Sequence, residues 1–119
     1  MRFINNGHLK NWRSLKLYSE NGSILWGGEP GGALLTDSLR PEKFTVFTDL
    51  ELSQVAKTLD LIPSETGTVE VLQKFWKGND TNGKTAPALL VYADLINSGY
   101  GRNIETAKKI LVSELQHIQ

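Results

Sequence analysis

LLVYADLINSGYGRNIETAKKIL, residues 89–111, is the stretch on which the fold reading turns. Its first half carries Leu89, Leu90, Val91, Tyr92, Ala93, Leu95 and Ile96 with hardly a break, which describes a helix apolar nearly all round and buried between other elements. Just upstream, Thr85 can cap and Pro87 can sit inside the first turn, where its missing N–H costs nothing, so the helix is predicted over 87–98. Gly99 ends it in the left-handed conformation that glycine tolerates. Asn103 then caps a second helix, with Glu105 near its positive end. Ile104, Ala107, Leu111, Leu115 and Ile118 form the apolar stripe of that helix, and Lys108, Lys109 and Gln116 face water. This helical pair implies stability and shape, and no reaction.

Working back towards the N-terminus, TVEVLQKFW (68–76) alternates Val69, Val71 and Gln73 against Glu70, Leu72 and Lys74, the period of a strand. KFTVFTDL (43–50) is rich in β-branched and aromatic residues and is a second strand. Between them, Leu52, Val55, Ala56 and Leu59 mark an amphipathic helix from about Glu51 to Leu61, ended by Pro63. SILWGG (23–28) can supply a third, short strand, and EPGGALLTDSLRP reads as a helix with Pro30 in its first turn and Pro41 as its stop. KGNDTNGKT (77–85) is an exposed loop. Residues 1–23 form an irregular arm and residues 24–119 a single domain. The expected fold is α/β of the α+β kind: a small mixed β-sheet with packed helices, ending in a two-helix unit.

A chain of 119 residues accommodates one domain of ordinary size and buries enough surface to need no staple. It contains no cysteine, which excludes disulfides, thiolate metal sites and cysteine nucleophiles. His8 and His117 are the only imidazoles and lie close to the two ends, so a zinc site or a histidine-based triad is not expected. Thirteen basic and thirteen acidic residues cancel, which gives no electrostatic footprint for DNA. No secretory h-region and no stretch of about 20 apolar residues is present, so no membrane partner is expected and the cytoplasm is the expected compartment. No cofactor motif is found: GGEPGG (27–32) matches neither phosphate-loop pattern, and tight backbone packing at a strand-to-helix corner explains its glycines better.

Three sets of polar residues carry chemical hypotheses. Asp94 is an ionisable group on an otherwise apolar helix, and burying it alone would cost several kcal/mol. Arg102 is its natural partner, with Glu105 beside it, forming a structural latch between the two helices; the alternative is a small-ligand pocket built on Arg102 and Glu105. Glu29, Asp49 and Glu70 are the alternative metal site, in an order similar to that of Mg²⁺-dependent restriction-endonuclease-like nucleases. There Leu72 stands where a lysine is required and Lys74 is a poor substitute, so solvated strand and cap carboxylates are the favoured reading and no catalytic residue is assigned. Trp26 and Trp76 read as core or interface anchors rather than base-stacking platforms.

Taken jointly, Gly27-Gly28-Glu29 leading into Ala33–Thr36, Leu39-Arg40-Pro41, the strand through Asp49, Val69–Trp76, and Leu90–Leu95 with Gly99, Arg102, Asn103 and Glu105 resemble the C-terminal domain of AbiEi-type antitoxins of type IV toxin–antitoxin systems, over about residues 24–115. The resemblance implies a non-catalytic domain that neutralises a cognate toxin of nucleotidyltransferase type, with transcriptional regulation in the full family architecture. DNA contact there belongs to a winged helix-turn-helix, for which the roughly 23 residues preceding the matched region are too few. A homodimer is compatible with the same resemblance.

Overall fold

The computed structural model describes residues 2–5, 12–14, 18–19, 22–37, 39–76 and 84–114. Along the chain the elements are β1 (Arg2–Asn5), a 3-10 turn (Trp12–Ser14), β2 (Tyr18–Ser19), β3 (Gly22–Gly27), α1 (Gly28–Thr36), β4 (Phe44–Thr48), α2 (Leu52–Leu59), β5 (Leu61–Pro63), β6 (Val69–Gln73), α3 (Ala88–Asn97) and α4 (Gly101–Ser113). The six strands form one mixed sheet in the order β2-β3-β4-β6-β1-β5. Only β4 and β6 run parallel, with Phe44 opposite Val69 and Thr48 opposite Gln73; the other neighbours are antiparallel. This is the small mixed sheet with packed helices, closed by a two-helix unit, that the sequence implies.

Period-2 alternation divides the core between the two faces of the sheet. Phe44 and Val46 of β4 and Val69 and Val71 of β6 join Val55 and Leu59 of α2 in one buried cluster. Trp12, Trp26 and Phe44 meet edge to face within it, at centroid separations of 5.3–6.0 Å. Phe47, the intervening residue of β4, packs on the opposite face with Val91 and Leu95 of α3 and Ala107 and Ile110 of α4, against which Leu72 of β6 also lies. A strand buried on both faces reads as a nearly continuous apolar run, which is why FTVFT is so easily recognised.

The helical pair forms with its predicted boundaries shifted by one or two residues. Pro87 occupies the N-cap position of α3 rather than its first turn, because Thr85 is held in a bridge to Trp26. Gly99 closes the helix at φ +78°. Two expectations are corrected. α3 is buried along one stripe, Val91 and Leu95, while Leu89 on its other side is 57% exposed. In α4 the buried residues are Asn103, Thr106, Ala107 and Ile110, so the inward stripe is rotated one position from the predicted one and Leu111 is exposed. Tyr100, not Asn103, is the N-cap. Leu115, Ile118 and most of the 77–85 loop lie outside the described residues.

Three strands were not legible: β1, the two-residue β2, which pairs with β3, and β5. β1, inside the segment expected to be an irregular arm, inserts between β6 and β5 and buries Phe3 to 1% exposure. With a single large apolar residue pointing inwards, it has no alternation to detect. β5 follows α2 directly, because Asp60 closes that helix in the left-handed region (φ 54°) and the chain turns into the sheet edge, the position where Pro63 costs no ladder hydrogen bond. The capping box between Glu51 and Gln54 sets the other end of α2. Within α1, Gly31 and Gly32 let the backbone approach Val91 and Leu95, so the glycines of GGEPGG serve close packing.

β1 is locked in place by the turn before β6. A Cβ on Gly67 would overlap the Phe3 backbone carbonyl, which cannot yield without breaking the β1–β6 pairing. Gly67→Ala is therefore expected to lower stability by about 2–3 kcal/mol, read as a reduced urea midpoint.

Candidate functional site

Glu29 is the second residue of α1 and is 6% exposed. Four donors converge on its carboxylate. Oε1 accepts from Arg102 Nη2 at 2.7 Å and from the backbone N–H groups of Glu42 at 2.9 Å and Lys43 at 3.3 Å; Oε2 accepts from Asn103 Nδ2 at 3.3 Å. Arg102 also donates through Nη1 to the Arg40 carbonyl at 2.9 Å and lies 3.4 Å from the exposed Glu42 carboxylate. The knot ties the start of α1, the 40–43 segment entering β4 and the start of α4 into one body. Charge-assisted bonds of this kind satisfy a carboxylate that would otherwise be buried at a cost of several kcal/mol.

The expected Asp94–Arg102 latch does not form. Arg102 turns towards Glu29, 73 residues away in sequence, where the first turn of α4 meets the start of α1. Glu105 takes no part in the knot; it is exposed and sits 3.8 Å from Lys108 on the outer face of α4. The alternative metal site is not assembled either. Glu29 and Glu70 line one cleft, whereas Asp49 follows the far end of β4 and lines another with Thr48 and Gln73. Glu70 pairs with Thr45, so Asp49 is four residues, or about 13 Å, further along the strand direction. Among the described residues no group of three His, Asp or Glu side chains is placed to hold a metal ion. His8 and His117 lie outside the described residues.

Beside the knot is a cleft of about 310 Å³ between the sheet, α3 and the α3–α4 turn. Glu70 reaches it from β6, Asp94 from α3, and Lys43, Tyr100 and Asn103 close it. The strand period explains Glu70: it lies on the same face as Leu72, the face that carries α3 and α4. Lys43 Nζ is 3.3 Å from the Tyr100 hydroxyl and 5.1 Å from the ring centroid. Asn103 is 1% exposed. Its Nδ2 donates to both Glu29 and Ser98, and Ser98 in turn donates to the Leu95 carbonyl, so the amide orientation is set. The Asn103 Oδ1 is buried with no hydrogen-bond partner. Sequence reading missed Lys43, Tyr100 and this role of Asn103. An asparagine three residues after Gly-Tyr looks like a cap, and nothing local distinguishes a cap from a buried junction.

Trp26 is a core residue, as expected, and Trp76 packs against the α3–α4 cluster and contacts Phe47 and Phe75 edge to face. Lys74 lies 5.7 Å from the Trp76 ring centroid.

The fold and this cleft define a small α+β protein in which a buried ion pair joins two helices. A family model described as "Transcriptional regulator, AbiEi antitoxin, Type IV TA system" matches residues 2–116. The chain belongs to this AbiEi antitoxin family, and its role is that of an antitoxin and transcriptional regulator of a type IV toxin–antitoxin system. The match takes in β1, which fits the participation of that strand in the sheet. No curated protein and no solved structure matches the chain. No helix among the described residues is long and apolar enough to cross a membrane.

Two outcomes follow from the site. Arg102→Ala leaves the Glu29 carboxylate buried without its cation and is expected to cost about 2–3 kcal/mol; adding Glu29→Gln recovers part of the loss, which a double-mutant cycle in urea measures. Asp94 supplies a pH dependence. Burial first, and then the Glu70 charge, push its carboxyl above the 3.8 of an ordinary aspartate. The folded chain then holds the Asp94 proton more tightly than the unfolded one, so this contribution to stability is complete below that ordinary value and is lost as pH rises through the raised one. Glu70, Lys43, Tyr100 and the Glu29–Arg102 pair are the charged or titratable groups around the same cleft. Asp94→Asn is expected to raise the urea midpoint near about pH 7 and to lose that advantage near about pH 3.

Proposed function

We propose that the chain is the non-catalytic effector domain of its antitoxin, opposing a cognate toxin of nucleotidyltransferase type through protein contacts, while DNA is met by a winged helix-turn-helix outside residues 1–119. The family match over residues 2–116 carries this reading. The geometry supports it from the other side, because the most buried carboxylate of the cleft is occupied by four internal donors and the three candidate metal carboxylates are spread over two clefts. The surface offers exposed apolar side chains of the size that anchors interfaces, with Phe75 72% exposed. The balanced charge of the chain agrees with a protein rather than a DNA partner.

The test is co-expression with a nucleotidyltransferase-type toxin from the same genome. Relief of toxin-dependent growth arrest together with co-purification is the expected result. Relief without co-purification would keep the antitoxin role and remove the direct contact. Arrest that persists although the folded chain accumulates would remove the effector reading itself.

A further inference from the structure

Hydrophobic side chains that the core leaves outside gather on the closing helical pair. Of the nine large hydrophobic side chains exposed among the described residues, five stand on α3, α4 or the turn between them: Leu89, Ile96, Tyr100, Leu111 and Val112. Leu89 and Ile96, seven residues apart, share the side of α3 turned away from Val91 and Leu95, which enter the core. In α4 the inward residues are Asn103, Thr106, Ala107 and Ile110, and Thr106 lies against Gly32 of α1. α1 therefore takes one flank of α4. Ile104 and Leu111, again seven apart, fall on the other flank, with Val112 on the outer crest. Both stripes belong to one packed unit, since Val91 and Leu95 share a cluster with Ala107 and Ile110. Scattered exposed leucines are ordinary, but two seven-residue pairs on adjoining helices describe a surface shaped to meet another helix. We propose that the outer face of α4, flanked by α3, is the contact between two copies of this chain, which meet about a two-fold axis with their α4 helices antiparallel.

The choice of a second copy rests on the charges beside the stripe. Glu105 lies near the start of α4, and Lys108 and Lys109 follow one turn later. A two-fold axis reverses the helix, so an order running from acidic to basic meets its opposite. With the axis midway between Ile104 and Leu111, each Ile104 rests on the Leu111 of the second copy. At a rise of about 1.5 Å per residue, Lys108 and Lys109 then stand within about 3 Å, measured along the helix, of Glu105 in the second copy. The Glu105–Lys108 contact inside one copy is 3.8 Å long with both side chains exposed, so it is weak and holds neither against re-pairing across the axis. A net charge of zero adds no overall repulsion to self-association. A foreign helix would need a matching pattern of its own, whereas a copy has it by symmetry. The inference does not rest on the antitoxin reading, and its test uses this chain alone.

The experiment is sedimentation velocity on the whole chain from about 1 to 500 µM, with circular dichroism to confirm that every variant folds. A monomer–dimer equilibrium with a dissociation constant of about 10–100 µM is expected. Leu111→Glu should weaken it at least about tenfold, while Ile62→Glu, an exposed position on the edge strand β5, should leave it unchanged. The charges are tested by mixing. Glu105→Lys in one chain, and Lys108→Glu with Lys109→Glu in another, should each weaken self-association about tenfold, and the equimolar mixture should associate as tightly as the unaltered chain. A dimer that survives Leu111→Glu, or a mixture that associates no better than its separate components, would overturn the proposal. So would a chain monomeric at about 500 µM; protection of the α3–α4 amides from hydrogen exchange by a co-expressed toxin would then give this face to that partner instead.

Discussion

The Glu29–Arg102 pair is the constraint on which the arrangement of this protein depends. Glu29 opens α1 and Arg102 opens α4, and their 2.7 Å contact brings together the N-terminal turns of two helices that have no sequence proximity. The backbone N–H groups of Glu42 and Lys43 join the same carboxylate, so the segment entering β4 is fixed by the knot too. A buried ion pair is rarely the cheapest way to hold helices together, because its desolvation offsets much of its attraction. What it adds is geometry: an apolar contact could slide, whereas a carboxylate with four directed donors accepts one position of α4 relative to α1.

That position creates the cleft. With α4 anchored at its first turn, Asn103 points back to Glu29 and Ser98, and the α3–α4 turn arches over the N-terminal ends of β4 and β6. The period of β6 places Glu70 on this face with Leu72, and α3 brings Asp94 to it. Two carboxylates therefore meet a common space while the third acidic residue, Glu29, is neutralised within the fold. Charge that the knot consumes and charge that the cleft retains answer to different physics: directed internal hydrogen bonds in one case, partial burial beside a like charge in the other.

The legible parts of the fold were those in which a local pattern has a local cause. β4 and β6 alternate or run apolar because both sheet faces are covered, and α2 and the α3–α4 pair show helical periods with glycine or capping signals at their ends. β1, β2 and β5 escaped because four, two and three residues cannot display a period, and the pairing of β1 and β5 with one another and of β1 with β6 is decided by neighbours distant in sequence. The α4 stripe was misplaced by one position for a related reason: its inward face contains Asn103 and Thr106, polar residues that are buried because Glu29 and the helix backbone satisfy them. Hydrophobic periodicity cannot see a face that is buried by hydrogen bonds.

Composition and pattern alone determined an α+β fold without cysteine chemistry, with a central strand pair and a closing helical pair, and the joint order of its segments was enough for a resemblance to the antitoxin family to which it belongs. Tertiary structure decided the partners of its charges. The sequence contains Asp94 eight residues before Arg102, and proximity made them look like a pair; the fold gives Arg102 to Glu29 and leaves Asp94 facing Glu70 across a cleft. Hydrophobic patterning is written along each segment because each segment buries its own face. An ion pair is a property of two segments, and which two come together is known only when the core has packed.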